Sequence, residues 1–324
     1  MCSIYGFVNY GNNVKGKQLK ELVRALSVES EIRGTDASGI AYVKDGRMTI
    51  YKEPKPAHKM KFYFPSDTKV LIGHTRMATH GSPKHNYNNH PFLGKTKDGY
   101  FAFCHNGVIY NNRMLEEAEQ MPKSFIETDS YVAVKLIEKY RELNFETIAR
   151  MSEAVYGSFV FTMLNEDNTL YISKGENPLC LLHFKELGLY VYSSTTEIMA
   201  KTLSRCFLKK HDFDVVKVDE GEIICIDSKG ELERGCFMPD KNNYGYTFGL
   251  GKQRSCWSDY FDYLDDVEQG DLFDVCSSFG LSQDDLILLY EMGYDDEEIE
   301  AMLYDTDLLQ ECVEEARVCI SEYY

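Results

Sequence analysis

The chemistry in this sequence begins with a cysteine at its second position. If Met1 is removed, Cys2 carries both a thiol and a free α-amine. An α-amine titrates at about 7.7 to 8.0 and a thiol at about 8.5, so the amine can accept the thiol proton at neutral pH. Cys2 is therefore a candidate nucleophile that carries its own base. The alternative is a small buried residue that starts a strand.

Five polar clusters follow Cys2 in order along the chain. They are RGTDASG (33–39), GHTRMATHG (73–81), NNHPF (88–92), HNGVIYN (105–111) and ETDSY (127–131). Asn106 offers a side-chain N–H and Gly107 a backbone N–H, and two such donors can stabilise an oxyanion. Arg76 is suited to a two-donor grip on a carboxylate, and Asp129 is suited to an ammonium.

Each of these residues also has a simpler explanation. Asn106 and Gly107 could form only a turn, because Asn-Gly is a common turn sequence. Arg76 could make a surface ion pair, and Asp129 could cap the helix that follows it.

The clusters, in this order and spacing behind Cys2, resemble the class II glutamine amidotransferases, whose glutaminase domains use an N-terminal nucleophile. The resemblance spans roughly residues 2 to 230. It implies the roles given above and adds Thr79 and His80 as neighbours of the glutamine carboxylate. It also implies that Arg33 supports the active-site loops, although a scaffold role for Arg33 stays open.

The reaction implied is attack of the Cys2 thiolate on the glutamine amide, release of ammonia and hydrolysis of the γ-glutamyl thioester to glutamate. Two alternatives stay open: a γ-glutamyl amide hydrolase acting on a small metabolite or peptide, and a non-catalytic glutamine-binding module. The sequence contains no P-loop, ATP pyrophosphatase loop, phosphoribosyl-diphosphate motif or iron-sulfur cysteine cluster. We therefore expect no cofactor and a separate ammonia-acceptor protein.

The histidines invite a metal interpretation, since five of the eight lie between residues 74 and 105. We expect no metal site. Their neighbours match amidotransferase loops, and no carboxylate or thiol pair lies at ligand spacing. His74 and His105 also belong to strands that we expect to be buried.

Alternating strands and helices must position these clusters. Three apolar strands, SIYGFVNY, KVLIGHTR and YFAFCHNGVIY, lie beside or run into them. We predict an amphipathic helix over KQLKELVRALSVESEIRG and a hairpin over GIAYVKDGRMTIYK, with its turn at Asp45-Gly46. We also predict a helix over TDSYVAVKLIEKYREL, capped by Thr128 or Asp129. Further short strands follow from Ser158. So many strands imply sheets packed together and flanked by helices. The fold predicted is α+β, and the resemblance implies the four-layer αββα sandwich of the N-terminal-nucleophile hydrolases.

Charge divides the chain into regions. Residues 255–324 hold 21 acidic residues and one base, Arg317, whereas the whole chain has a net charge of −17. We predict an amidotransferase domain over 1–237, a linker over 238–254 and a small all-α helical bundle over 255–324. The bundle is either a solubilising cap or a surface that docks a basic partner or another copy, so a homo-oligomer is possible.

Composition excludes some classes of function. Neither region has a concentrated basic stripe, which argues against nucleic acid as a partner. No uncharged apolar run approaches the roughly 18 residues of a membrane-spanning helix, and no secretory signal opens the sequence. The protein is therefore expected to be cytoplasmic and to bind no membrane.

Overall fold

The fold is taken from a computed structural model that describes residues 2–11 and 13–239. Within these residues the strands are Ser3–Asn9 (β1), Ala37–Lys44 (β2), Arg47–Glu53 (β3), Val70–Arg76 (β4), Phe92–Thr96 (β5), Gly99–Ile109 (β6), Gly157–Asn165 (β7), Leu170–Lys174 (β8), Cys180–Phe184 (β9), Leu189–Ser193 (β10), Asp214–Val215 (β11), Glu222–Ile226 (β12) and Leu232–Cys236 (β13). The α-helices are Lys17–Glu29 (α1), Asn112–Ala118 (α2), Tyr131–Tyr140 (α3), Phe145–Ala154 (α4) and Thr196–Arg205 (α5).

The strands form two antiparallel sheets. The first has the order β11-β9-β10-β1-β4-β2-β3, and the second has the order β13-β12-β8-β7-β6-β5. In the first sheet β1 pairs with β4, with Ser3 opposite Thr75. In the second sheet β6 pairs with β7, with Gly107 opposite Phe159. Strands β1 and β4 are therefore central in one sheet, and β6 lies one strand from the edge of the other.

The sheets lie face to face between two layers of helices. Along β1, Tyr5 and Phe7 pack with apolar residues of α1 and α5, whereas Ile4 and Val8 pack with residues of the second sheet. Helices α3 and α4 cover the outer face of the second sheet. Alternation along each strand produces this layering, since each fully buried large apolar side chain contributes about 1.5 to 3 kcal/mol. The described residues are thus α+β with two antiparallel sheets, as predicted.

Two predicted helices differ at their ends. The first helix stops at Glu29 and continues as a 3₁₀ turn over Ser30–Arg33, which places Arg33 beside the ends of β1 and β6. The helix after the ETDSY cluster begins at Tyr131, and no side-chain hydrogen bond caps it. The prediction that Thr128 or Asp129 caps this helix is wrong, because the Asp129 carboxylate accepts a backbone N–H from β6 instead.

The hairpin prediction is confirmed by the pairing of β2 with β3. Its two turn residues, Asp45 and Gly46, have φ values of 51° and 72°. Positive φ at both central positions is the geometry that joins two twisted antiparallel strands.

None of the helices that the structure describes is long and apolar enough to cross a membrane. The predicted linker, apart from Met238 and Pro239, and the predicted acidic bundle lie outside the described residues. Both stay predictions.

Candidate functional site

Strand ends bring most of the predicted site residues together. Cys2 directly precedes β1 and Arg76 ends β4, and the pairing of Ser3 with Thr75 makes the two residues neighbours across adjacent strands. Asn106 and Gly107 lie on β6 of the opposite sheet. Cys2 and two of the five polar clusters therefore converge because two central strands of one sheet face one strand of the other.

The Cys2 thiol lies in a poorly solvated position. Its Sγ is 3.5 Å from the carbonyl oxygen of Met77, to which the S–H can donate. Desolvation raises the pKa of the Cys2 thiol above its ordinary value, and the Met77 contact and the positive charge of Arg76 oppose this rise. The thiol therefore needs a proton acceptor before it can act as a nucleophile.

Arg33 joins the nucleophile segment to β6. Its Nε–H donates to the carbonyl oxygen of Cys2 at 2.8 Å, and its Nη2 donates to Oδ1 of Asn106 at 3.3 Å. Partial burial lowers the pKa of the Arg33 guanidinium, whereas the nearby Cys2 raises it. The arginine thus fixes the relative position of two predicted catalytic residues.

Asn106 is completely buried, and its side chain has a defined direction. A guanidinium only donates hydrogen bonds, so the contact with Arg33 makes Oδ1 the atom that faces the arginine. Nδ2 then points away from Arg33, and it is buried without a hydrogen-bond partner among the described residues. A buried, unpaired N–H is costly unless a ligand or a transition state uses it.

Gly107 could not be any other residue without a change in the backbone. Its φ is +148°, and a Cβ at this position would lie 1.8 Å from the carbonyl oxygen of Ser158 on β7. Glycine therefore lets β6 keep its pairing with β7 directly beside Asn106.

Arg76 is buried, and a loop and a neighbouring asparagine hold its guanidinium. Nη1 donates to Oδ1 of Asn89 at 2.7 Å. Nη2 donates to the carbonyl oxygens of His80 and Gly81, the second at 2.9 Å. Thr79 and His80 themselves are exposed, so the structure brings the His80 backbone, rather than either side chain, to Arg76. Burial also lowers the pKa of the Arg76 guanidinium.

Asp129 is buried and anchored to β6. Its Oδ2 accepts the backbone N–H of Ile109 at 2.7 Å, and the Ser130 hydroxyl lies 3.4 Å from Oδ1. Ile109 is two residues beyond Gly107 on β6. The negative charge of Asp129 acts on both Cys2 and Arg76, which places the carboxylate within electrostatic range of the site.

Sequence reasoning assigned no role to several residues that build this site. Asp36 accepts the backbone N–H of Ala78 at 2.8 Å and donates its own backbone N–H to the Arg76 carbonyl at 2.9 Å. Asn88 and Asn89 hydrogen-bond to the loops around Arg76 and Asp129. The signal available was their position inside two of the polar clusters, RGTDASG and NNHPF.

Three of the five clustered histidines meet in the interior. His74 and His90 stack at 4.2 Å, and Nε2 of His74 lies 2.9 Å from the His105 carbonyl oxygen. In the described part of the chain, no group of three or more His, Cys, Asp or Glu side chains is arranged to hold a metal ion.

A surface groove of about 440 Å³ lies elsewhere, between α1 and residues 58–64. None of the predicted site residues lines it.

Comparisons with known proteins agree with this geometry. The sequence model of a glutamine amidotransferase domain matches residues 74–200. The isomerizing glutamine–fructose-6-phosphate aminotransferase of Staphylococcus aureus strain Mu50 is 34% identical over 250 residues, covering 74% of this chain and 40% of the relative. The enzyme of the same name from Staphylococcus epidermidis is 30% identical over 243 residues, covering 72% and 38%.

A solved structure shares the fold. It is the glutamine phosphoribosylpyrophosphate amidotransferase of Bacillus subtilis, complexed with ADP and GMP. It superposes with a TM-score of 0.59 at 19% identity, covering 74% of this chain and 50% of that one. The chain contains a class II glutamine amidotransferase domain of the N-terminal-nucleophile type. It spans about two fifths of the length of the curated relatives that it matches.

Proposed function

We propose that this domain hydrolyses the side-chain amide of L-glutamine through a thioester on Cys2. The Cys2 thiolate attacks the amide carbon, and a C–S bond forms as the amide carbonyl becomes an oxyanion. The C–N bond then breaks, and ammonia leaves with the proton taken from the thiol. Water hydrolyses the γ-glutamyl thioester, which yields glutamate and regenerates the thiol.

The observation that carries this proposal is the buried, unpaired Nδ2 of Asn106. It is a preoriented donor, because Arg33 holds the other end of the amide and also holds the Cys2 carbonyl. An oxyanion formed on a Cys2 thioester would supply the missing acceptor. Each such donor contributes about 2.7 to 4 kcal/mol to transition-state stabilisation.

The base in this proposal is the α-amine of Cys2, exposed by removal of Met1. Burial raises the pKa of the thiol, so the thiolate does not form readily without an acceptor nearby. A neutral α-amine on the same residue is such an acceptor, since an amine of this kind ordinarily titrates at about 7.7 to 8.0. Blocking the amine with a retained Met1 would remove the base.

Recognition of glutamine is assigned to Arg76 and Asp129, with Thr79 and His80 as neighbours. The similar Staphylococcus aureus enzyme, a glutamine–fructose-6-phosphate aminotransferase, is named for glutamine. Arg76 carries the cation that suits an α-carboxylate, and Asp129 carries the anion that suits an α-ammonium. We propose that the ammonia is used by an acceptor that lies outside the described residues.

The test is release of ammonia and glutamate from L-glutamine by the intact protein. Cys2→Ala should abolish release, whereas Cys236→Ala, which changes an exposed cysteine of β13, should leave it unchanged. Unchanged turnover in Cys2→Ala would overturn the proposal. Activity on other γ-glutamyl amides with none on glutamine would overturn the assignment of the substrate.

A further inference from the structure

The NNHPF cluster has no role in the proposed chemistry, yet it lies at the centre of the hydrogen bonds around the site. Asn88 and Asn89 are both completely buried. A buried side-chain amide is costly to leave unsatisfied, so two adjacent ones must serve a structural or functional purpose. Their partners indicate which purpose.

Asn89 connects to the arginine. Its Oδ1 accepts a hydrogen bond from Nη1 of Arg76 at 2.7 Å. Its Nδ2 donates to the Pro83 carbonyl oxygen at 2.9 Å and to Oδ1 of Asn86 at 3.3 Å. The Asn89 amide therefore holds the guanidinium in one orientation and is itself hydrogen-bonded to the loop that follows Arg76.

Asn88 connects to the segment that carries Asp129. Its Oδ1 accepts the backbone N–H of Glu127 at 2.9 Å, and its Nδ2 donates to Oε2 of Glu127 at 2.8 Å. The same Nδ2 lies 3.2 Å from the Ser82 carbonyl oxygen. The Asn88 side chain thus hydrogen-bonds to both the backbone and the side chain of Glu127, which lies two residues before Asp129.

The asparagine pair is itself fixed from the edge of the first sheet. Nζ of Lys52, on β3, donates to the carbonyl oxygens of Asn89 and Pro91, the second at 2.9 Å. Burial lowers the pKa of Lys52 to about 8. The pair is therefore a rigid connection, because its main chain and both its side chains are held.

We propose that Asn88 and Asn89 are positioning residues that set the spacing between the carboxylate-binding Arg76 and the ammonium-binding Asp129. This rests on the proposed function, in which those two groups hold the ends of an α-amino acid. Adjacent residues connected by a planar peptide keep a nearly constant separation. The site would thereby select ligands in which both α-groups are free, and disfavour glutamine within a peptide chain.

The test uses two isosteric variants in a Cys2→Ala background, so that ligands bind without turnover. Asn89→Asp places an anion against Arg76, where it competes with the ligand carboxylate. Asn88→Asp places an anion against Glu127, where repulsion displaces the Asp129 segment. Asn9→Asp is the matched control: Asn9 is buried, donates its amide to the Val14 carbonyl at 2.8 Å, and ends β1 far from Cys2.

Three ligands separate the two ends of the site: L-glutamine, glutaramate, which lacks the α-ammonium, and 4-aminobutanamide, which lacks the α-carboxylate. Asn89→Asp should raise the calorimetric Kd of glutamine and glutaramate by about tenfold or more and change that of 4-aminobutanamide by less than about twofold. Asn88→Asp should raise the Kd values of glutamine and 4-aminobutanamide and leave the Kd of glutaramate unchanged. Asn9→Asp should change none of the three.

If either variant raised the Kd of all three ligands equally, or if its effects did not differ from those of Asn9→Asp, Asn88 and Asn89 would have a structural role only. If the ligand pattern fails while the wild-type protein releases ammonia from glutamine, this inference is wrong and the proposed function stands. If the pattern holds but no ammonia is released, the proposed catalysis is wrong and the inference stands. If the Cys2→Ala protein binds none of the ligands and the wild-type protein releases no ammonia from glutamine, both are overturned.

Discussion

Asn106 is the residue whose surroundings constrain the reaction most closely, because its amide has one end bound and the other end unpaired in the interior. Asn106→Asp keeps an acceptor for Arg33 but replaces the donor with an anion. We expect kcat for glutamine to fall by about a hundredfold to a thousandfold, with the stability of the fold largely retained. Steady-state kinetics and thermal unfolding measured together test this. A variant with normal kcat would show that Nδ2 does not serve the oxyanion.

Arg76 offers a second prediction at this scale. Its guanidinium makes bonds to Asn89 and to the loop carbonyls with a planar fork that an ammonium cannot reproduce. Arg76→Lys should therefore raise KM for glutamine by about tenfold or more while kcat changes little, because binding of the carboxylate is lost before the chemical step. Unchanged KM would remove Arg76 from the carboxylate site.

The sequence predicted the residue types of the site better than their contacts. Asp129 was open to interpretation as a helix cap, because acidic residues before a helix commonly cap it. Its partner is the N–H of Ile109, 20 residues earlier on β6. Contacts of this kind arise only when the second sheet and α3 pack together, so neither spacing nor propensity could reveal them.

Among the elements, three buried histidines make a prediction about pH: His74 lies on β4, His105 lies on β6, and His90 precedes β5. Desolvation by burial lowers the pKa of His74 to about 3, and burial also lowers the pKa values of His90 and His105. Their unfolded pKa is about 6.5, so these rings stay neutral in the folded chain and take up protons on unfolding.

The stability that depends on these histidines is fully present above about pH 6.5 and is lost as the pH falls towards the depressed folded values. Both ring nitrogens of His90 are buried without partners among the described residues, and the ring stacks on His74 and contacts Phe92. His90→Phe should therefore lessen the fall in unfolding free energy below pH 6 by about 1.4 kcal/mol per pH unit.

Urea denaturation between pH 7 and pH 5 measures this slope. The same substitution at His211, a partly exposed histidine after α5, is the control for exchanging a histidine for phenylalanine. Equal slopes for His90→Phe and the wild-type protein would show that His90 does not remain neutral on folding.

Strands were easier to predict than helices. The runs that became β4 and β6 were predicted because they are apolar and lead into polar clusters, and the run that became β1 was also predicted as a strand. Helices α2, α4 and α5 were not predicted, and each has only 7 to 10 residues. Helices this short owe their stability to tertiary packing more than to local sequence signals.

At the scale of the whole molecule, charge is the unexplained feature. Residues 255–324 carry 21 acidic residues beside one base, whereas the full chain has a net charge of −17. If this acidic region docks on a basic partner or on another copy, removal of residues 255–324 should change the glutaminase rate or the state of association in low salt only. Charges on a surface are screened beyond about 10 Å at 0.1 M salt. Identical behaviour at both salt concentrations would support the solubilising cap.

Formation of a γ-glutamyl thioester on Cys2 can be tested directly by mass spectrometry of the intact protein. A glutamine-mimicking electrophile should add once, and peptide mapping should place the adduct on an N-terminal Cys2 from which Met1 has been removed. Excess L-glutamine should slow the addition of the electrophile to Cys2. The Asn106→Asp substitution should also slow this addition. An adduct on another cysteine, or full glutaminase activity in protein that retains Met1, would contradict the account.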